Sequence, residues 1–364
     1  MKYRVRALID LASIRANYNY IKSKAGSSRV CAVVKADAYG HGSAVIASEL
    51  QKLGCKDFAV ACLSEAQTLK NAGINGNILI LGPTDREESA EVVENGFIQA
   101  VDSFSYAQDL ASYGIANVHI KVDTGMSRIG IYCHTEADVS SAADEIEKIS
   151  KIKNVNICGI FTHFADSDGE ARDFTDKQFS SFKALLDELE KRGVDVGTKH
   201  CCNSAATLRY PEKHLDMVRA GIILYGLMPS PAVSDGNLKP AMKLSARVCA
   251  VHELKKGDAV SYGCTYKAEK DTKVAVIALG YADGFSRVYS GKPFLKINGK
   301  RYSTVGKICM DMCMADIGED NVQVGDEAVV FENSSDIDAL ASALGTINYE
   351  ILCSLKHRVL LQYK

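Results

Sequence analysis

Short apolar runs, each of a length that suits a buried strand, recur along the first two-thirds of the chain. The eight runs begin near Val30, Phe58, Ile78, Ile98, Val118, Ile157, Lys199 and Met217. Helix-like segments lie between them, for example residues 64–72 and 172–192, each followed by a glycine. Strands that alternate with helices predict an α/β fold, and eight such units predict a closed (β/α)8 TIM barrel. A doubly wound open sheet is the alternative, but no G-x-G-x-x-G motif follows the first run.

The pattern changes after the prolines at positions 229 and 231, and the rest of the chain is rich in strands. Strand-like runs cover residues 244–254, 273–280, 294–297 and 327–331, with turn residues between them. One helix is predicted over residues 336–344, ending at Gly345. We therefore predict two domains, a barrel of residues 1–237 and a mostly β C-terminal domain of residues 238–364.

The composition is that of a globular protein and excludes several functional classes. The 364 residues are 47% hydrophobic and 24% charged, and the chain is long enough for two cores. A net charge of −2 argues against a nucleic-acid or membrane partner, and no apolar stretch has the length of a membrane span. No signal peptide is predicted at the N-terminus. The twelve cysteines include no C-x-x-C pair, which favours free thiols in the cytoplasm and indicates neither disulfides nor a metal site.

The first apolar run leads to Lys35, which is followed by a tyrosine and a glycine-rich turn. At the mouth of a buried strand, desolvation disfavours the ammonium form of a lysine and leaves a reactive amine. Such an amine can form a Schiff base with an aldehyde cofactor such as pyridoxal 5'-phosphate. The structural alternative is a lysine that extends from the strand end into solvent.

Polar side chains also occur at the ends of other predicted strands, where a (β/α)8 barrel carries its active site. They are Lys121, Asp123 and Arg128 at strand five, His163 at strand six, Asn203 and Ser204 at strand seven, and Arg219 at strand eight. Ser204 and Gly221 suit a phosphate group, because the loops after strands seven and eight often bind one. The structural interpretation of Ser204 is a helix N-cap, which is compatible with an anion site.

Arg219 lies in an apolar strand and therefore needs a partner. A carboxylate would be a structural partner, whereas a ring nitrogen of the cofactor would be a functional one. Because arginine stays protonated, it would keep that nitrogen unprotonated and favour simple proton exchange. For His163, a structural role, stacking on the cofactor ring and a hydrogen bond to Arg219 all remain open.

Together these segments resemble the alanine racemase family, which are fold-type III pyridoxal phosphate enzymes with a (β/α)8 barrel and a C-terminal β domain. The matching segments are residues 32–42, 121–128, 161–164, 203–206, 219–222, 261–263, 280–284, 309–311 and 349–350. Departures from the family pattern are Cys201 and Cys202 in place of small residues, Met312 in place of a glutamine, and a C-terminus without proline.

The resemblance implies a role for each matched residue. Lys35 and Tyr262 would be the two catalytic bases, and Lys35 would also bind pyridoxal 5'-phosphate covalently. The other cofactor-binding residues would be Tyr39, His163, Asn203, Ser204, Arg219, Gly221, Ile222 and Tyr349. The substrate-binding residues would be Arg128, Tyr281, Met310 and Asp311, and Lys121 matches a lysine that is carbamylated in many members.

The implied reaction is the interconversion of L-alanine and D-alanine, which supplies D-alanine for peptidoglycan. A homodimer with shared active sites is implied, because Tyr262 would serve the barrel of the partner subunit. Two alternatives are a serine or broad-specificity amino-acid racemase on the same scaffold, and a non-catalytic pyridoxal phosphate carrier. Such carriers lack the C-terminal domain and its tyrosine, both of which this sequence contains.

Overall fold

The computed structural model describes residues 3–233 and 235–364, which divide into two compact units. One unit comprises Ile14–Leu238, and the other combines the N-terminal segment up to Ser13 with Lys239–Lys364. The main difference from the predicted boundaries lies at the N-terminus, because residues 3–13 belong to the second unit and not to the barrel.

Eight parallel strands, numbered here as barrel strands 1–8, form the sheet of the first unit. They are Arg29–Val33, Asp57–Val60, Asn77–Ile80, Ile98–Val101, Ala116–Asp123, Val155–Phe161, Thr198–His200 and Met217–Ala220. Strands 1–7 pair in chain order, and strand 8 pairs with strand 1. The amides of Asp216 and Arg219 donate to the carbonyls of Lys199 and Cys202, which links strand 8 to strand 7 and nearly closes the barrel. The predicted (β/α)8 architecture is confirmed.

Helices connect the barrel strands, and their apolar faces are buried as the spacing predicts. The helix Leu11–Ala25 precedes barrel strand 1, and the helical segments that follow it are Lys35–Gly40, Ser43–Lys52, Leu63–Asn71, Ser89–Glu94, Phe104–Ala111, Val139–Ser150, Asp173–Lys191 and Ser204–Arg209, with short 3-10 turns at Arg86–Glu88, Glu136–Asp138, Pro211–Lys213 and Ile222–Tyr225. The helix Asp173–Lys191 buries Phe182, Leu185 and Leu189, which lie three or four residues apart and therefore share one face. A short strand, Ile131–Tyr132, pairs with the end of barrel strand 5.

The second unit is mostly β and is built around the long strand Met242–Leu254. Its other strands are Val5–Ile9, Ala259–Val260, Tyr266–Lys267, Thr272–Ile277, Leu295–Ile297, Lys300–Tyr302, Cys313–Gly318, Glu327–Phe331 and Leu360–Tyr363, its helices are Ser334–Leu344 and Asn348–Cys353, and its 3-10 turns are Tyr262–Cys264, Tyr281–Asp283 and Arg287–Tyr289. The N-terminal strand pairs with the long strand on one side and with the C-terminal strand on the other, so both chain ends join one sheet. Across the described ranges, no helix is both long enough and apolar enough to cross a membrane.

Candidate active site

Lys35 follows the C-terminal end of barrel strand 1 and begins a left-handed helical turn. Four consecutive residues of this turn have φ between 51° and 54°, which is the left-handed conformation. They are Ala36, Asp37, Ala38 and Tyr39. None is a glycine, so each costs roughly 1–2 kcal/mol in this conformation, and the surrounding contacts must hold the turn.

Two carboxylates hold this turn against its neighbours. Glu65 accepts the N–H groups of Ala36 and Ala61, each at 2.7 Å, and so ties the turn to the end of barrel strand 2. Asp37 accepts the N–H of Ser43 at 2.7 Å and so links the turn to the start of the next helix. The lysine that begins the turn is therefore positioned by two adjacent elements of the barrel.

An aromatic stack fixes Tyr39, the last left-handed residue. The ring centroid of Tyr39 lies 5.0 Å from that of Tyr225, which in turn stacks on His41 at 4.5 Å. The Tyr225 hydroxyl donates to the carbonyl of Val33, in barrel strand 1, at 2.9 Å. Burial lowers the pKa of His41 to about 4, so this ring is neutral at physiological pH and packs as an uncharged group.

Tyr39, Ser204 and Gly221 form a polar cradle at the ends of barrel strands 7 and 8. The Gly221 N–H donates to Ser204 Oγ at 2.9 Å. A Cβ atom on Gly221 would lie 2.7 Å from the Tyr39 hydroxyl oxygen, so only glycine leaves room at this position. Gly221 leads into the fully buried Ile222. Two hydroxyl groups beside a backbone that lacks a side chain suit the oxygen atoms of a phosphate group.

Asn203, and not Ser204, is the N-cap of the helix Ser204–Arg209. The Asn203 Oδ1 accepts the N–H of Ala206 at 3.0 Å, which is the usual N-cap hydrogen bond. The structural interpretation of Ser204 as an N-cap is therefore wrong. Its hydroxyl accepts a hydrogen bond from Gly221 instead, which places it in the cradle.

Arg219 in barrel strand 8 is 3% exposed and has four polar partners. Its Nη1 lies 2.8 Å from His200 Nδ1, and its Nη2 lies 3.2 Å from His163 Nδ1. The Nη2 also donates to the carbonyls of Thr162 at 2.8 Å and Cys201 at 3.1 Å. None of these partners is a carboxylate, so the structural partner considered for Arg219 is not observed. Burial lowers the pKa of the guanidinium, which stays protonated at neutral pH.

Two buried histidines, His200 and His119, extend the hydrogen bonds of Arg219 into the barrel. Because arginine only donates, His200 accepts through Nδ1 and carries its proton on Nε2. That Nε2 lies 2.9 Å from His119 Nδ1, which assigns the same tautomer to His119. Burial, followed by the charge of Arg219, lowers the pKa of His200 well below its usual value and that of His119 to about 3. Both rings are therefore neutral, and both are polar residues inside apolar strands.

Lys121 in barrel strand 5 is 3% exposed, and its Nζ donates to the carbonyl of Val122 at 2.9 Å. The centre of the Phe161 ring lies 5.2 Å from Lys121 Nζ and 5.2 Å from the guanidinium carbon of Arg219. Burial, followed by the positive charge of Arg219, lowers the pKa of Lys121 to about 7. A large fraction of this amine is therefore neutral and nucleophilic near neutral pH.

Asp123 shapes the turn that carries Arg128. Its Oδ1 accepts the N–H groups of Gly125, Met126 and Ser127 at distances between 2.9 and 3.0 Å. Burial alone would raise the pKa of Asp123, but the backbone hydrogen bonds together with the contact with His134 outweigh it and lower the pKa. The turn leaves the Arg128 side chain exposed directly after barrel strand 5.

The barrel mouth is strongly cationic around His163. Burial, and then the charges of Arg219, Lys121, Arg128 and Lys35, lower the pKa of His163 well below its usual value. The hydrogen bond between His163 and Arg219 that the sequence suggested is observed. A neutral ring beside the guanidinium groups of Arg219 and Arg128 and two lysine side chains leaves a site that favours anionic groups such as phosphate and carboxylate.

In the second unit, Tyr262 is 70% exposed and lines a cleft of about 520 Å³ together with Met310 and Asp311. Tyr281 is attached to the same region, because its N–H donates to the carbonyl of Cys309 at 3.2 Å. The cleft therefore gathers a phenol, a carboxylate and apolar side chains from separate parts of the C-terminal sequence.

The predicted site residues thus form two groups. The barrel group is Lys35, Tyr39, Lys121, Arg128, His163, Asn203, Ser204, Arg219, Gly221 and Ile222, and the second-unit group is Tyr262, Tyr281, Met310, Asp311 and Tyr349. Tyr349 lies in the helix Asn348–Cys353, outside the residues that line the cleft. Three residues of this region were not predicted from the sequence: Glu65, His119 and His200. The two histidines are visible in the sequence only as polar residues within strands, and Glu65 belongs to no motif.

Known proteins match this chain over nearly its full length. The profile described as alanine racemase, N-terminal domain, matches residues 9–229, and that of the alanine racemase C-terminal domain matches residues 241–363. Alanine racemase of Clostridium perfringens is 42% identical and covers 99% of this chain and 95% of its own length. The structure of alanine racemase from Clostridium difficile gives a TM-score of 0.95 at 37% identity, covering 100% of this chain and 96% of its own. The structure of alanine racemase from Bacillus anthracis with bound L-Ala-P gives a TM-score of 0.91 at 32% identity, and the match covers 100% of this chain and 95% of that one.

Proposed function

The chain belongs to the alanine racemase family, and from this membership we propose that it interconverts L-alanine and D-alanine with pyridoxal 5'-phosphate as its cofactor. The observation that carries the proposal is the barrel mouth. It combines a lysine at the end of strand 1, the cradle beside Gly221, and Arg219 with no carboxylate among its partners. The D-alanine produced would supply peptidoglycan synthesis.

The residues of the barrel mouth fit pyridoxal 5'-phosphate. The hydroxyls of Tyr39 and Ser204 would bind its phosphate, and the backbone of Gly221 and Ile222 would approach it closely. Asn203 would hold the start of the helix that carries the serine. When bound, the cofactor acidifies the α-proton of an amino acid by taking up the electron pair left on Cα.

Arg219 would direct that chemistry towards proton exchange. Its guanidinium is a permanent donor, so a pyridine nitrogen placed against it must accept and stays unprotonated. The neutral rings of His163 and His200 hold the guanidinium of Arg219 in place, because each presents a nitrogen lone pair to it. Arg219 would in this way weaken the cofactor as an electron sink and so favour return of the proton to Cα over its transfer elsewhere.

Racemisation requires that a proton leave one face of Cα and that another be delivered to the opposite face. Two fixed bases, one on each face, achieve this without a swing across the plane. We assign the two roles to Lys35 and Tyr262. The Lys35 amine would hold the cofactor in the resting enzyme and would be free to act as a base once the substrate amine replaces it there. It would then accept the α-proton in one direction while the Tyr262 hydroxyl donates, and in the other direction the roles would reverse.

A homodimer with shared active sites would supply Tyr262 from a second copy of the chain. The exposure of this tyrosine supports the assignment, as does that of Met310 and Met312, which are 53% and 44% exposed beside it. Apolar surface of this kind is typical of a binding face. In the dimer, Arg128 would bind the carboxylate of the amino acid.

The remaining matched residues complete the pocket. Tyr281, Met310 and Asp311 would line the substrate site, and Tyr349 would be a further phosphate ligand. We also propose that Lys121 is carbamylated, because its neutral amine can attack carbon dioxide and the anionic product would be stabilised by neighbouring arginines. The twelve free thiols of the chain favour the cytoplasm as its compartment.

The direct test follows optical activity when purified protein, loaded with pyridoxal 5'-phosphate, is mixed with L-alanine in deuterated water. We expect racemisation in both directions, with deuterium appearing at Cα. The Lys35→Ala variant should lose activity by at least about a thousandfold, since both the base and the covalent attachment are removed.

The same assay with L-serine decides the substrate. A higher kcat/KM for L-serine than for L-alanine would refute the alanine assignment. Absence of deuterium exchange in a protein that retains the cofactor would refute the racemase proposal altogether and would indicate a carrier.

A further inference from the structure

Asp283 in the second unit is a carboxylate with 1% of its surface exposed. Arg358 binds it side-on, with Nε donating to Oδ1 at 2.6 Å and Nη2 donating to Oδ2 at 3.2 Å. Arg4 donates to the same two oxygens at 3.5 and 3.3 Å, and the N–H of Gly280 donates to Oδ2 at 2.8 Å. A buried charge with this many donors is stable in place, whereas removal of one partner leaves an uncompensated charge.

The two arginines that surround Asp283 also hold Asp311. Arg358 Nη2 donates to Asp311 Oδ1 at 2.8 Å, so one guanidinium bridges a buried carboxylate and an exposed one. Arg4 Nη2 donates to the backbone carbonyl of Asp311. The planar fork of arginine suits this bridging, which a lysine ammonium would not reproduce.

The backbone next to Asp283 also contacts the segment that leads to Asp311. The N–H groups of Tyr281 and Ala282 donate to the carbonyls of Cys309 and Met310 at 3.2 and 3.0 Å. The two backbones are so close that a Cβ on Gly280 would lie 2.2 Å from the Met310 carbonyl oxygen. Residues 309–311 therefore rest directly on residues 280–283.

We propose that Asp283 positions Met310 and Asp311 at the cleft, acting through Arg358 and Arg4, and thereby sets the affinity of the enzyme for its amino-acid substrate. The inference rests on the proposed function, in which Met310 and Asp311 line the substrate site. Asp283 is a positioning residue, because it is buried beneath the segment and does not line the cleft. Its loss releases both arginines from their common anchor, so the segment loosens while the two bases remain in place.

The test compares variants of the holoenzyme by steady-state kinetics and by hydrogen–deuterium exchange of residues 309–312. Asp283→Asn should raise the KM for L-alanine about tenfold, leave kcat within about threefold, and speed amide exchange in this segment. Arg358→Lys should show the same pattern to a smaller degree, because it keeps the charge but loses the fork. The Arg358→Lys variant also tests the proposal if the Asp283→Asn variant does not fold.

Glu327→Gln is the matched control. Glu327 belongs to another carboxylate cluster of the same unit, in which it accepts from Arg6 at 2.7 Å and from Lys243 and Ser245 at 2.8 Å. This variant should lower the melting temperature without changing KM or the exchange of residues 309–312. An equal rise in KM in this control would show a general structural effect and would overturn the proposal.

Unchanged KM and unchanged exchange in both Asp283→Asn and Arg358→Lys would also overturn it. Failure of the proposed function would look different, because the wild-type protein itself would not racemise alanine. In that case the exchange measurement still reports whether Asp283 positions the segment.

Discussion

Gly221 leaves room for the Tyr39 hydroxyl because it has no side chain, and we expect this space to be needed for phosphate binding. Gly221→Ala should weaken the affinity of the apoenzyme for pyridoxal 5'-phosphate by about 1–3 kcal/mol, since the methyl group must displace the hydroxyl. Titration of the apoenzyme followed by absorbance measures this affinity. Gly236→Ala is the control, because a Cβ there has no neighbour within 4 Å. Equal affinities of the two variants for the cofactor would show that the space at Gly221 is not needed for phosphate binding.

Lys121 gives the protein a pH dependence whose sign follows from its lowered pKa. An unfolded chain protonates this lysine below about pH 10, whereas the folded protein does so only below about pH 7. Burial of Lys121 therefore lowers the free energy of unfolding by its full amount below pH 7. This loss of stability disappears as the pH rises towards 10, where the lysine is neutral in both states.

Lys121→Met should accordingly be more stable than the wild-type protein at pH 7, and the difference should shrink by pH 9. Urea unfolding in buffer free of carbon dioxide measures the free energies, since carbamylation would remove the titrating amine. Added bicarbonate should reduce the difference at pH 7 if Lys121 is carbamylated. A difference that stays constant between pH 7 and pH 9 would contradict the lowered pKa.

At the scale of elements, most of the barrel strands were predictable because they are short apolar runs separated by helix-like segments. The strand Val5–Ile9 was not assigned to the C-terminal sheet, because its antiparallel partner, Met242–Leu254, lies more than two hundred residues away. No local pattern encodes that pairing or its register. Distance along the chain also explains why the contacts of Asp283 were not predicted, since its partners Arg4 and Arg358 lie 279 and 75 residues away.

Charged residues at the ends of apolar runs were the clearest signal for the candidate site, although each also has a structural explanation when it is taken alone. Lys35 and Arg219 were singled out because several such residues occur at the same end of the predicted barrel. Glu65 could not be distinguished among the 45 acidic residues of the chain, because its role depends on two backbone N–H groups that only the folded barrel brings together.

The left-handed turn after Lys35 was also not predicted, because local preference opposes it for every residue it contains. Replacement of its first left-handed residue, Ala36→Gly, should raise the free energy of unfolding by about 0.5–1 kcal/mol, since relief of the strain exceeds the added chain entropy. Ala184→Gly in the right-handed helix Asp173–Lys191 should instead lower it by about 1 kcal/mol. Denaturant unfolding measures both; destabilisation by both substitutions alike would show that the turn is not strained.

At the scale of the whole molecule, the proposed mechanism requires one base from each of two chains, and this requirement can be tested without a structure of the dimer. Lys35→Ala and Tyr262→Phe should each be nearly inactive as homodimers. In a heterodimer of the two variants, one site lacks both bases, while the other combines an intact Lys35 with an intact Tyr262 from the other chain. Equal mixing makes half of the dimers heterodimers, so activity should return to about a quarter of the wild-type value. The Lys35→Ala, Tyr262→Phe double variant mixed with either single variant should restore nothing, which controls for exchange alone. If mass spectrometry demonstrates heterodimers of the two single variants but no activity returns, both bases of each site must come from the same chain.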